Sequence, residues 1–97
     1  MTAPTIVTGH VLYDSTSGKT SHVINAPTNQ EGDQIVMFFL VDGATTISST
    51  AFDSTLYSNI TVDSTATASV FLRVATSSEP STYTITVVDS ERAVAIV

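Results

Sequence analysis

The stretch QIVMFFLV, from Gln34 to Val41, is apolar at every position after the first. Turn-forming residues bound it on both sides, with Glu-Gly-Asp at positions 31–33 and Asp42-Gly43 after it. The stretch is too short to span a membrane as a helix, and its length fits a strand. Because successive side chains of a strand point to opposite faces, this strand would be apolar on both faces. We therefore predict that it lies at the centre of a sheet and that both of its faces are covered.

The composition favours an all-β protein and argues against several classes of partner. About three residues in ten of the 97 are Ser or Thr, Thr is favoured on strand faces, and we see no helix-forming run of ordinary length. Three Lys and Arg stand against nine Asp and Glu, a formal net charge of -6. That charge opposes binding to nucleic acid and to anionic membranes. There is no Cys, which excludes disulfides and zinc sites that use Cys.

Short β-prone segments follow one another along the whole chain. Residues 5–13 and 20–24 resemble a first hairpin, and residues 44–50 are typical of a short edge strand or of an extended loop at the rim of the sheet. Residues 56–62 and 67–75 form two strands around a turn at 63–65. Residues 82–87 and 92–97 predict a last hairpin, in which Tyr83, Ile85 and Val87 point inward. We predict one domain over residues 1–97, an antiparallel β-sandwich, immunoglobulin-like or jelly-roll-like, with about seven short strands.

The strand at residues 67–75 has two unlike faces. One carries Val70, Leu72 and Val74 and is predicted to be buried. The other, mixed side carries Ser69, Phe71 and Arg73. This pattern predicts a position near the middle of a sheet.

The chain stops at Val97, within an apolar strand and without a polar tail. Either a partner covers this strand, or the 97 residues are the front part of a longer polypeptide. We expect Val94, Ile96 and Val97 to lie at or near an interface, because an apolar edge strand is otherwise an aggregation hazard.

Three blocks of the sequence resemble a recurrent β-sandwich domain of tailed-bacteriophage virion proteins. They are a Gly-Asp pair before an apolar strand (32–39), a Val-Ala-Thr and Ser-Glu-Pro linker before a Tyr-Thr strand (73–85), and a Glu-Arg-Ala turn into a small-residue strand (90–96). Members of that family commonly carry a Pro-Ser-Gly-Trp element after the central strand. This chain has no Trp and carries Ser48–Asp53 in that region.

The resemblance implies a non-enzymatic structural protein, a head decoration or fibre-anchoring module. Its expected partners are the major capsid or tail proteins of the same virion and further copies of itself, as a homo-oligomer, with assembly in the host bacterial cytoplasm. We expect no partner nucleic acid or membrane. The alternative is a receptor- or carbohydrate-binding module of a tail fibre, with Tyr57 and Phe52 facing a ligand from loops at the ends of the sandwich. Those loops would be residues 14–19, 42–50 and 76–81.

Candidate chemistry is weak at the level of the sequence. His10, His22 and Asp14 carry ligand types for a metal, but they lack a ligand spacing, and polar contacts at the surface or an interface explain the histidines better. The carboxylates in predicted turns are typical of turn chemistry. No Gly-x-Ser-x-Gly motif and no evident pair of catalytic carboxylates is present. We predict no catalytic residues, no metal and no cofactor.

Overall fold

The computed structural model describes residues 10–15, 17–52, 54–62 and 65–97, with the backbone alone for 54–58 and 62. Within this part of the chain the regular secondary structure is all β, and no helix is long and apolar enough to cross a membrane. The strands are β1 (Leu12–Asp14), β2 (Lys19–Asn25), β3 (Gln34–Asp42), β4 (Ile47–Ser48), β5 (Ser54–Val62), β6 (Ala66–Val74), β7 (Thr82–Glu91) and β8 (Ala93–Ile96).

Two antiparallel sheets pack together as a sandwich. The five-stranded sheet has the order β1-β8-β3-β6-β5, and the three-stranded sheet has the order β2-β7-β4. The predicted antiparallel β-sandwich is therefore confirmed, and the described residues form eight strands where about seven were expected. The weak segment at 44–50 supplies β4, which is a short edge strand as predicted.

The central stretch forms β3, the middle strand of the five-stranded sheet, between β8 and β6. Its odd-numbered residues face the core, with Met37, Phe39 and Val41 almost fully buried. The even-numbered residues face away from the second sheet, and Phe38 and Leu40 are 56% and 41% exposed. The predicted central position is confirmed. Among the described residues, the prediction that both faces are covered is wrong, because the second sheet packs against one face only.

The predicted last hairpin is wrong. Residues 5–9 of the predicted first hairpin lie outside the described part of the chain, and its described strand residues do not pair with each other. β1 pairs with β8 and β2 pairs with β7, so the first two strands belong to different sheets. β7 runs through the expected turn at 88–91, and the chain changes sheets at Arg92. β8 consequently lies between β1 and β3 and is not an edge strand. Sequence pattern fixes which residues alternate, but it does not fix whether a connection closes a hairpin or crosses the sandwich.

The predicted pair of strands at 56–62 and 67–75 is confirmed, since β5 and β6 pair antiparallel. β6 was predicted near the middle of a sheet, and it is the fourth strand of five. The sandwich core is one apolar cluster from both sheets, and the predicted inward residues of β7 are confirmed there. Its members are Ile24, Ile35, Met37, Phe39, Val41, Ile47, Phe52, Phe71, Ala75, Tyr83, Ile85, Val87, Ala93 and Ala95.

The turn before β3 forms as the Gly-Asp pair predicts. The Asp33 Oδ2 atom accepts a hydrogen bond of 2.8 Å from the backbone N–H of Gln30, and the Asp33 N–H donates to the Gln30 carbonyl at 3.1 Å. Gly32 has a φ of 92°, a left-handed conformation that glycine adopts without a steric penalty. The Ala75 N–H then donates to the Asp33 carbonyl at 2.7 Å. The turn thus places β3 in register with β6.

Candidate functional site

The side of the five-stranded sheet that faces away from the three-stranded sheet is the candidate site, and we call it the outer face. Apart from Gln34, Asp14 and Asp42, near the strand ends, its described side chains are apolar. The apolar members are Leu12, Val36, Phe38, Leu40, Ile60, Ala66, Ala68, Val70, Leu72, Val74, Val94 and Ile96.

The strand register brings these residues side by side in continuous rows. One row crosses four strands and consists of Leu12, Ile96, Phe38 and Val70. A second row consists of Val94, Leu40, Ala68 and Ile60. Residues that are directly opposite on neighbouring strands have Cβ atoms only about 5 Å apart. The exposed apolar side chains therefore form one patch and are not scattered singly.

Strand β6 contributes to this patch in the reverse of the predicted orientation. Val70, Leu72 and Val74 point outward, and the mixed side with Ser69 and Arg73 points into the sandwich. Two of the inward polar groups have hydrogen-bond partners there: the Ser69 Oγ atom accepts from the Asn59 N–H at 3.0 Å, and the Thr67 Oγ1 atom donates to the Gly43 carbonyl at 2.8 Å. The prediction that the apolar side is buried is thus wrong for the single chain. Phe71 of this strand lies in the core with the inward polar residues, and Val70, Leu72 and Val74 are on the outer face.

The opposite surface of the sandwich has a different character. The outward positions of β7 begin with Thr82, Thr84 and Thr86, and we call this side the threonine face. Val23 on β2 and Val88 on β7 are exposed apolar residues there, 54% and 68% exposed. Alternation of apolar-in and polar-out residues is usual for a sheet with one solvated face. The three-stranded sheet follows this rule and the five-stranded sheet departs from it.

A groove of about 480 Å³ lies at one end of the outer face. Leu40, Val94 and Ala66 are among its apolar lining residues, and Asp42 and Arg92 line its polar part. The Arg92 Nη2 and Asp42 Oδ2 atoms are 3.4 Å apart, and both side chains are more than half exposed. An ion pair so open to solvent contributes at most about 1 kcal/mol to folding. The groove extends the apolar surface and gives it a charged border.

A buried ion pair lies at the opposite end of the sandwich. Glu79 and Arg73 side chains are 5% and 14% exposed, and the Arg73 Nε atom lies 2.7 Å from Glu79 Oε1 at an angle outside hydrogen-bond geometry. The Arg73 Nη2 atom donates to Glu79 Oε2 at 3.2 Å, and its Nη1 atom donates to the Ala51 carbonyl. The guanidinium also lies over the ring of Tyr83, 5.3 Å from its centroid.

The Glu79 carboxylate accepts further hydrogen bonds from Tyr83 Oη and from the Thr76 N–H, both of 2.8 Å. Burial alone would raise the pKa of Glu79, but these hydrogen bonds and the Arg73 charge outweigh it and hold the pKa below its ordinary value. Burial, together with the Glu79 carboxylate, raises the pKa of Tyr83. Sequence reasoning missed this cluster. The available signal was Arg73 at an inward position of a strand, which requires a buried partner.

A second buried polar group links the two sheets. His22 on β2 is fully buried, contrary to the expected surface contact. Its Nε2–H donates to the Lys19 carbonyl at 3.1 Å, so its Nδ1 atom accepts the hydrogen bond of 2.9 Å from Tyr13 Oη on β1. Burial lowers the pKa of His22 and favours this neutral tautomer. Both ring nitrogens are engaged within the fold, and His10 is exposed.

The predicted interface residues divide between two environments. Val94 and Ile96 lie on the outer face, 46% and 50% exposed. Val97 is partly buried and packs against the core, and its N–H donates to the Val11 carbonyl at 3.0 Å. The outer face, not a strand edge, is therefore where this segment is accessible.

Of the two aromatic residues predicted to face a ligand, Phe52 has a described side chain. The ring of Phe52 is buried, 5.3 Å from the Phe71 ring and 5.0 Å from the Tyr83 ring between centroids. It has little surface left for a ligand, and the expectation that it faces a loop ligand does not agree with its position. The side chain of Tyr57 is outside the described part of the chain. Residues 76, 77 and 79–81 of the third predicted loop border a polar groove of about 570 Å³, with residues 26, 27 and 29–31 on its other side.

Comparison of the chain with protein-family models, with curated proteins and with solved structures found no significant match. The resemblance to phage virion domains accordingly rests on the three sequence blocks and stays a prediction.

Proposed function

We propose that this chain is a non-enzymatic structural module of a tailed-bacteriophage particle, a head decoration or fibre-anchoring module that docks through the outer face. The phage assignment comes from the three sequence blocks. The docking role comes from one observation, which is that the outward rows of the five-stranded sheet are apolar across neighbouring strands.

The size of this surface supports a docking role. Contiguous apolar patches on monomeric soluble proteins rarely exceed about 300–600 Å², and larger ones mark interaction sites. The apolar rows of the outer face cross four strands, of which β3 and β6 are nine residues long. A fold of 97 residues that leaves Phe38 and Leu40 exposed in its central strand gains stability when a partner covers them.

The buried polar groups support binding without chemistry. Glu79 holds Arg73, Tyr83 and the 76–79 turn, and His22 joins β1 to β2. Each group is used to fix the fold, and each lies away from the outer face. The adhesin alternative is less favoured, because the burial of Phe52 removes one of its two aromatic residues.

The test is electron cryomicroscopy of the particle assembled by the phage or prophage that encodes the chain. The expected result is density of about this domain's dimensions, 42 × 25 × 21 Å, repeated on the head or tail, with the five-stranded sheet toward a neighbouring protein. Absence of the chain from purified particles would contradict the phage role. Density at a tail tip with the outer face bare and the loops outward would favour the adhesin.

A further inference from the structure

We propose that the occupant of the outer face is the same face of a second copy of this chain, which gives a two-fold dimer with the two five-stranded sheets packed against each other. This inference rests on the proposed function in one respect, since it takes the outer face to be the docking surface. It goes further by naming the partner and the geometry.

The area of the face fits what a stable dimer requires. A strand residue occupies about 3.3 Å along its strand and about 4.8 Å across the sheet. β3, β5 and β6 have nine residues each, β8 has four and β1 has three, so the sheet covers about 540 Å² in plane. Protruding side chains make the accessible area larger than the plane. It thereby approaches the roughly 800 Å² that each partner contributes to a standard interface.

The composition of the face also fits a dimer of identical chains. An interface between different, separately stable proteins is only about as apolar as the rest of the surface, whereas homodimer interfaces are more apolar. The described centre of the outer face has no charged side chain. Asp14 and Asp42 are confined to one end, next to Arg92. An apolar centre with charges at the border is the arrangement of a permanent interface.

A second copy offers a surface of the right shape. Sheets twist with one hand, and two sheets of the same twist pack face to face with their strands about 30° apart and about 10 Å between layers. The two sheets of this sandwich already pack in layers. A two-fold axis in the plane of the outer face repeats that contact between copies, and the result is a four-layer assembly. Phe38, in the middle strand, lies near the centre of the new layer.

The chain offers a closely matched pair of variants for the test. Phe38→Lys places a charge at the centre of the outer face, and Val23→Lys places the same charge on the threonine face. The two side chains are almost equally exposed in the single chain, Phe38 by 56% and Val23 by 54%. Sedimentation equilibrium from 1 to 100 µM would measure the dimer dissociation constant of each protein. Circular dichroism would show that both variants are folded. We expect a dimeric wild type and a dimeric Val23→Lys variant.

Phe38→Lys should raise the dissociation constant by at least about 100-fold, because two Phe side chains lose their apolar burial and two like charges meet near the axis. A wild type that is monomeric throughout this range would overturn the inference. A dimer that Val23→Lys disrupts and Phe38→Lys leaves intact would also overturn it, and would place the contact on the three-stranded sheet.

Failure of this inference is distinguishable from failure of the proposed function. A monomer that is nevertheless found on particles with its outer face covered by another protein contradicts the dimer alone. A dimer that depends on Phe38 but is absent from particles supports this inference and contradicts the phage role.

Discussion

Replacing Glu79 by Ala tests whether the buried ion pair holds the loop end of the sandwich together. The change removes the carboxylate that is paired with Arg73 and that accepts hydrogen bonds from Tyr83 Oη and the Thr76 N–H. It leaves a guanidinium that is 14% exposed without its counter-charge. Breaking a buried pair by removing one partner costs about 3–5 kcal/mol of unfolding free energy. For a domain of this size that corresponds to a fall in Tm of at least about 12 °C.

Urea denaturation followed by far-ultraviolet circular dichroism at pH 7 gives the unfolding free energies. Glu31→Ala is the matched control, because it removes an exposed carboxylate and should change the free energy by no more than about 0.5 kcal/mol. The double variant Arg73→Met with Glu79→Leu should lose much less than Glu79→Ala, since no charge is left unpaired.

The same pair has a pH signature. Because the pKa of Glu79 is held below its ordinary value of 4.5, its contribution is present above that pH and is lost as the pH falls through the lowered pKa. The Glu79→Ala variant should lack this part of the acid transition. If Glu79→Ala lowers the unfolding free energy by less than about 1 kcal/mol at pH 7, or unfolds in acid in the same way as the wild type does, the ion pair does not stabilise the loop end of the sandwich.

Further predictions concern the buried histidine, the two faces of β3 and the sheet junction. Burial lowers the pKa of His22, so the unfolded chain binds the proton more readily, and the unfolding free energy should fall as the pH drops below about 6.5. Urea titrations at pH 7, 6 and 5 should show this fall in the wild type and in the His10→Ala control. An unfolding free energy that does not change with pH would contradict it. By urea denaturation of the monomeric chain, Phe39→Ala should lower the unfolding free energy by about 3–5 kcal/mol and Phe38→Ala by under about 1 kcal/mol. Equal losses would mean that the side of β3 that faces the core is misassigned. Asn59→Ala should cost about 1–3 kcal/mol, because Asn59 has a φ of 52° and its side chain bonds the backbone of β4; a neutral thermal melt would exclude that role.

The sequence predicted the sandwich because its strand signals are local. Alternation in β7 placed Tyr83 inward and its threonines outward, and the Gly-Asp pair placed the turn before β3. The hairpins could not be predicted in the same way. Whether β7 continues to Glu91 and β8 then joins the other sheet depends on packing between residues far apart in the chain.

The candidate site was visible in the sequence as a contradiction. Gln34–Val41 is apolar on both faces, which predicts that both faces are covered, yet the described residues supply a cover for one. The ion pair of Arg73 and Glu79 was hidden, because an inward charge on a mixed strand face does not reveal its partner. The burial of His22 was hidden for the same reason, since Tyr13 reaches it from the other sheet.

The most direct test of the central claim is carbene footprinting of the native assembly and of the monomeric chain, with the labelled side chains identified by mass spectrometry. Phe38 and Leu40 should be labelled in the monomeric chain and protected in the assembly, while Val23 on the threonine face should be labelled equally in both. Equal labelling of Phe38 and Leu40 in the two states would contradict the claim that the outer face is a docking surface.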